Sequence, residues 1–178
     1  SLYEKMLLFK NNGITKDTKK FKNKNNGPWY YEQHSLGYNF RMSDIQAALG
    51  ISQLKRLKSF VKKRNSIAKL YKKKLSGLPL SFQKIDKGLK SSYHLFVIKL
   101  SNHRKLHRKL FEYLRKNGVF VNLHYLPLHL HPFYKKFKFK KGDFPISENY
   151  SENAISIPVF PELNYKKQMK VINIIVKF

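Results

Sequence analysis

The stretch LGYNFRMSDIQAALGISQLKRL, Leu36 to Leu57, decides how the chain is read. Its first half is almost uncharged in a sequence crowded with lysine, and it sets Gly37, Asn39 and Arg41 directly ahead of a helix signal. Ser43-Asp44-Ile45-Gln46 has the spacing of a capping box, in which a serine hydroxyl and a glutamine side chain each satisfy a backbone N–H at the helix start. Behind it Ile51, Leu54, Leu57, Val61, Ala68, Tyr71 and Leu75 recur three, four or seven apart with lysines opposite, until Gly77 and Pro79 end the run. The spacing predicts one helix of about 50 Å at about 1.5 Å per residue. Such a helix is too long for a small domain alone, so it is expected to bridge two bodies. At its mouth, free N–H groups and the positive dipole end suit an anion, with an amide and a guanidinium beside them. A plain helix-entry turn uses the same residues, and the spacing does not separate the two readings.

Working outward, Leu2 to Asn12 places Leu2, Met6 and Phe9 at helical spacing, with Gly13 as a stop. Ile14 to Ser35 is a lysine- and asparagine-rich loop holding Gly27-Pro28-Trp29-Tyr30-Tyr31, long enough to be functional or disordered. Beyond the long helix, Tyr93 to Leu100 has the nearly continuous apolar run of a strand covered on both faces. Asn102 to Asn117 is helical, with Leu106, Leu110, Tyr113 and Leu114 as its apolar stripe and Gly118 at its end. Val119 to Leu123 is expected to be a second strand, followed by the loop HYLPLHLHP, His124 to Pro132. Ser147 to Ala154 predicts a helix running into a short strand, Ile155 to Ile157. Asn164 to Val176 closes the chain as a helix with Met169, Ile172 and Val176 inward. The order α, then βαβ, then α predicts an α/β layer of helices on a small sheet. Three segments follow: 1–42 with the loop and turn, 43–77 as the long helix, and 78–178 as a small α/β domain.

Composition limits the function classes. With 178 residues and 42% hydrophobic content the chain can bury a core, and 14 Phe with 11 Tyr argue against disorder. No run approaches about 18 consecutive apolar residues, so no membrane span is expected. The opening SLYEKMLLFKNN lacks the pattern of a signal peptide, and zero cysteines exclude a disulfide scaffold and a thiolate zinc site. A cytoplasmic location is expected. The net charge of +27 invites nucleic acid, but 31 of the 37 basic residues are lysine and they are spread along the whole chain. Base readout and bidentate phosphate recognition favour arginine, so a solvated lysine surface is the preferred account. The alternative is a stand-alone lysine-rich module binding nucleic acid or another polyanion. His124, His129 and His131 share one loop, without HExxH spacing and with no acidic residue standing near, so no metal is expected. No Walker, GxGxxG or GxSxG motif occurs. The residues alone leave two candidate sites, the Asn39 turn and the His124 loop.

GYNFRMSDIQAALGISQLKRL resembles the Gly-x-Asn-x-Arg-x-x-[Asp/Glu]-[Ile/Leu]-Gln-Ala-Ala-x-Gly-x-x-Gln-Leu signature of the DegT/StrS-type nucleotide-sugar aminotransferases. LYEKMLLFKNNGI, HLFVIKL, HYLPLHLHPFY, KKGDFPISENYSENAISIPVFPEL and the closing helix agree in order, so the resemblance covers nearly the whole chain. GPWYYEQHSLGYNFR is most similar to the UDP-4-amino-4,6-dideoxy-N-acetyl-β-L-altrosamine transaminases of pseudaminic acid synthesis. The resemblance implies the small domain and connecting helix of a fold-type I, aspartate aminotransferase-like transferase that uses pyridoxal 5'-phosphate. It implies a homodimer with shared active sites, a 4-keto-6-deoxy nucleotide-sugar substrate and glutamate as the amino donor. Asn39 is then expected to hydrogen-bond the cofactor phosphate of the other subunit. Arg41 would support that loop or meet the substrate diphosphate, and His124 and Tyr125 would approach the nucleotide sugar. The Schiff-base lysine is expected upstream of Ser1, which makes this a C-terminal fragment, inactive by itself. A truncated, non-catalytic paralogue kept as a dimer partner fits the same residues.

Overall fold

The computed structural model describes residues 1–25, 27–101 and 104–178. The chain forms two compact units, Ser1–Lys55 and Arg56–Phe178.

The first unit opens with helix α1 (Leu2–Lys10), whose start is a capping box between Ser1 and Glu4. Strands β1 (Ile14–Thr15) and β2 (Glu32–Gln33) pair antiparallel. Gly13, with φ of 71°, makes the turn out of α1, and a Cβ there would lie 1.8 Å from the Ser35 carbonyl oxygen, so only glycine fits. The expected apolar stripe of α1 is exposed, since Leu2, Met6 and Phe9 all face solvent within this chain.

Helix α2 runs over Asp44–Leu75, 32 residues, and rises about 48 Å. The capping box is present: Gln46 N–H donates to Ser43 Oγ at 3.3 Å and Ser43 N–H to Gln46 Oε1 at 2.9 Å. Its apolar residues divide by position. Ile67, Ala68, Tyr71 and Leu75 are buried, whereas Ile51, Leu54 and Leu57 are exposed although they continue the same stripe.

In the second unit β3 (Leu80–Phe82), β4 (Phe96–Leu100) and β5 (Ala154–Ile157) form a sheet ordered β3-β4-β5, both pairings antiparallel. Among the described residues the expected βαβ unit is not formed, and both of its expected strands differ from expectation. Tyr93 has a φ of 44°, and Arg64 Nη1 takes the Tyr93 and His94 carbonyls at 3.0 and 3.1 Å, so the strand starts only at Phe96. The segment Val119–Leu123 is not a strand, because Arg115 claims the Val121 carbonyl through Nε and Nη2 and only Asn122 bridges β5, at Ser156. β4 also alternates buried and half-buried positions, so it is not covered equally on both faces.

Helices α3 (Arg104–Lys116), α4 (Pro145–Asn153) and α5 (Tyr165–Lys177) complete the unit. The expected start of α3 at Asn102 lies outside the described residues. Leu110 and Leu114 are buried, Tyr113 is half-buried, and Leu106 stays at the surface. In α5 the buried stripe is Gln168, Val171, Ile172 and Ile175. Val176 points outward, against expectation, because Gln168 sets the phase by donating to the Ile67 carbonyl of α2 at 2.7 Å. Burying about 25 cal/mol per Å² of apolar surface along Tyr71, Leu75, Phe96, Ile98, Leu114 and Ile155 holds these elements together.

Candidate functional site

The Gly37 turn lies against the end of α1. A Cβ on Gly37 would sit 2.5 Å from the Gly13 nitrogen and 2.7 Å from the Phe9 oxygen, so two backbones touch where the signature has glycine. The following residues then take up groups that a helix end leaves unpaired. Tyr38 N–H donates to the Phe9 carbonyl at 2.6 Å, Phe40 N–H to that of Lys10 at 2.9 Å, and Asn12 N–H to that of Tyr38 at 2.9 Å. Tyr38 stacks on Phe40, with Phe9 edge-on to Tyr38.

In extended backbone, alternate residues share a side, which puts Asn39 with Arg41 and apart from Tyr38 and Phe40. Arg41 Nη2 donates to the Asn11 side-chain oxygen. Asn39 is exposed, and among the described residues its amide has no hydrogen-bond partner. A cleft of about 640 Å³ lies beside this turn, with Leu7, Lys10, Lys16, Lys20, Phe40 and Arg41 among its walls. The mouth of α2 is less suited to an anion than its sequence suggests. The Gln46 N–H is taken by Ser43, and Asp44 places a carboxylate in the first turn. On the turn itself, the side-chain donors that face a phosphate are those of Asn39 and Arg41.

The aromatic loop ahead of the turn is organised by a residue the sequence reading passed over. Glu32 is buried and accepts from the N–H groups of Lys22 and Asn23 at 2.8 and 2.7 Å, from the Tyr30 hydroxyl at 3.1 Å and from His34 Nε2 at 2.6 Å. Burial raises a carboxyl, but bonds from His34, Lys22, Asn23 and Tyr30 outweigh it and hold Glu32 down at about 2. Burial and Glu32 together push the Tyr30 phenol up.

The other candidate loop belongs to the second unit. His124 Nδ1 lies 2.8 Å from Ser156 Oγ, the His124 and Tyr125 rings meet edge to face at 4.7 Å, and Tyr125 is exposed. An acidic residue does reach this loop, contrary to the sequence reading: the buried His129 Nε2 lies 2.8 Å from Glu148 Oε1, 19 residues away. Glu148 also accepts from Gly142 N–H at 2.8 Å and from Phe144 N–H at 3.3 Å. Burial raises its carboxyl, and the Gly142, His129 and Phe144 bonds outweigh that and lower it. His129 is thus committed to structure. Among the described residues no three His, Asp or Glu side chains converge on a metal position. Asn39 and Arg41 share one turn, the His124 and Tyr125 rings meet, and the two pairs belong to different units.

Residues 1–176 match the DegT/DnrJ/EryC1/StrS aminotransferase family. The chain belongs to this family. An uncharacterized protein of Methanocaldococcus jannaschii is 39% identical over 178 residues, covering 98% of this chain and 46% of the relative. The UDP-4-amino-4,6-dideoxy-N-acetyl-β-L-altrosamine transaminase of Campylobacter jejuni is 36% identical over 169 residues, covering 93% of this chain and 42% of the transaminase. The sugar aminotransferase fold is shared with Streptococcus pneumoniae Spr1654 in its PMP form, at a TM-score of 0.86 and 26% identity, over 98% of this chain and 44% of that one. Spr1654 has also been solved in a PLP form. The chain thus spans a little under half the length of these relatives and has the mixed α/β fold of part of a fold-type I transferase.

The donor set fits one end of a pyridoxal phosphate. Asn39 and Arg41 offer an uncommitted amide and a cation to a phosphate.

Proposed function

We propose that the chain is the C-terminal part of a pyridoxal 5'-phosphate-dependent aminotransferase that aminates a 4-keto-6-deoxy nucleotide sugar, with glutamate as donor, in a cytoplasmic homodimer with shared active sites. The observation that carries this reading is the family match over residues 1–176, centred on a turn whose Asn39 amide is left free. When bound, the pyridoxal group supplies the electron sink through which an amino group is exchanged. Asn39 holds the phosphate of the cofactor in the other subunit, donating without adding charge, and a hydrogen bond to a charged acceptor contributes about 1.5–3 kcal/mol. Arg41, tied to Asn11, steadies the turn and leaves cationic character facing the site. His124 and Tyr125 offer neutral donors to sugar hydroxyls and diphosphate oxygens. Helix α2 is the connector between residues 1–42 and 78–178. The lysine that would hold the cofactor through a Schiff base is read as lying outside these residues, so the chain by itself is inert.

The test is a full-length dimer carrying Asn39→Ala, in which cofactor affinity falls by about one to two orders of magnitude. Mixed dimers sharpen it. An Asn39→Ala subunit is combined with one lacking the catalytic lysine, and the only lysine-bearing site then receives an intact Asn39 from the partner. Normal cofactor binding at that site is expected, and weakened binding there overturns action across the interface.

A further inference from the structure

Ser156 lies on β5, paired with Val97 of β4 on one side and exchanging both backbone hydrogen bonds with Asn122 on the other, at 2.8 and 3.2 Å. Its backbone is fixed by two neighbours and more than nine-tenths of the residue is buried, so its remaining freedom is rotation of the hydroxyl. A serine hydroxyl has one proton to donate and two lone pairs to accept with. Among the described residues its one partner is His124 Nδ1, at 2.8 Å. An unpaired buried donor costs more than an unused lone pair, so the serine proton goes to Nδ1. Nδ1 must then be the bare nitrogen, and the ring proton sits on Nε2. Among the described residues Nε2 has no partner of its own, and the edge-to-face contact with Tyr125 fixes the plane of the ring.

We propose that Ser156 is a positioning residue: its hydroxyl locks neutral His124 as the Nε2–H tautomer, so that His124 presents a hydrogen-bond donor to an oxygen acceptor rather than a base to a proton. This rests on the reading that His124 meets the nucleotide sugar, and it narrows what His124 can do there. It binds a diphosphate oxygen or a sugar hydroxyl and does not take a proton from the substrate. Glu148 fixes the same loop further along, through His129.

The experiment uses the full-length protein labelled with 15N-histidine, at about pH 8.5, above the ordinary imidazole range. Two-bond nitrogen–proton correlations read the tautomer of each ring, and the His124 signals are those that vanish in His124→Gln. The expected wild-type pattern is Nε2–H. Ser156→Ala converts it to a mixture of tautomers, and Ser156→Thr, which keeps the hydroxyl, restores Nε2–H. An Nδ1–H pattern in the wild type, or an unaltered Nε2–H pattern in Ser156→Ala, overturns the assignment, and the wild-type spectrum decides this even if the Ser156 variants do not fold. UDP titration separates the underlying reading. Ser156→Ala is expected to weaken UDP binding by about three- to tenfold, the worth of one ordinary hydrogen bond. A tautomer that responds to Ser156→Ala with unchanged UDP affinity upholds the role of Ser156 and overturns contact between His124 and the diphosphate of the nucleotide sugar.

Discussion

The two units are held together by different physics. Arg56–Phe178 has a continuous apolar core, from Ile67 on α2 through Ile98 and Ile155 in the sheet to Ile175 on α5. In Ser1–Lys55 the buried residues are Gly13, Thr15 and Glu32, and no large apolar side chain is buried among the described residues. That unit rests on a backbone zipper at Gly37 and on a carboxylate that gathers four donors. Both units use the same local device, a buried glutamate with a histidine and two backbone N–H groups. In the second unit Glu148 adds to a core that already exists. In the first, Glu32 stands in for one. Directed bonds contribute about 0.5–1.5 kcal/mol each after water is counted, so the first unit is the part whose order is most easily disturbed. Leu2, Met6, Leu36, Ile45 and Leu49, all exposed in this chain, belong to it.

The comparison can be broken from either side. Leu114→Ala removes a fully buried side chain from the second unit and should cost about 2–5 kcal/mol in urea unfolding, with a lowered midpoint. A loss under about 1 kcal/mol would show that the core is not what holds that unit. Gly37→Ala places a methyl group 2.5 Å from a backbone nitrogen. The zipper must open or shift, at about 1–3 kcal/mol, with local protection from hydrogen exchange lost around Phe9–Asn12 and Tyr38–Phe40. Exchange there should rise while the second unit stays protected. A smaller, local effect is expected on acidification. Glu32 binds its proton more weakly in the folded loop, at about 2, than at its ordinary 4.5, so the stability it contributes is present above about 4.5 and is lost as pH falls towards 2. Trp29, the one tryptophan of the sequence, lies in this loop and reports it by fluorescence. The transition should vanish in Glu32→Gln, and one that persists would assign the loop's order to something else.

What was legible in the sequence was what neighbours along the chain decide. Ser43 and Gln46 announced α2 and Gly13 announced the end of α1, because caps and turns act across three or four residues. The signature turn pointed to Asn39 and Arg41, and the structure supplies the reason for its glycine, a contact with a backbone more than twenty residues upstream. The antiparallel sheet was not legible. Val119–Leu123 has strand composition, and only the reach of Arg115 to the Val121 carbonyl shows why it does not pair along its length. Ile51, Leu54 and Leu57 keep the helical period of a buried stripe, yet periodicity does not say whether the covering surface lies in the same chain. The partnership of His129 with Glu148, and that of His124 with Ser156 across 32 residues, leave no mark on local spacing.

Arg64 places one guanidinium nitrogen within hydrogen-bonding distance of the carbonyls of Tyr93, His94 and Val159, and Arg115 grips Val121 with two of its nitrogens. An ammonium group is a compact, strongly hydrated charge without that planar fork. In a chain with 31 lysines and six arginines, such positions stand out as places where the two cations are not interchangeable. The lysine-rich composition therefore works as a map of tolerance. It marks the broad surface on which any positive charge serves, and leaves the scarce arginines to indicate where shape is required as well.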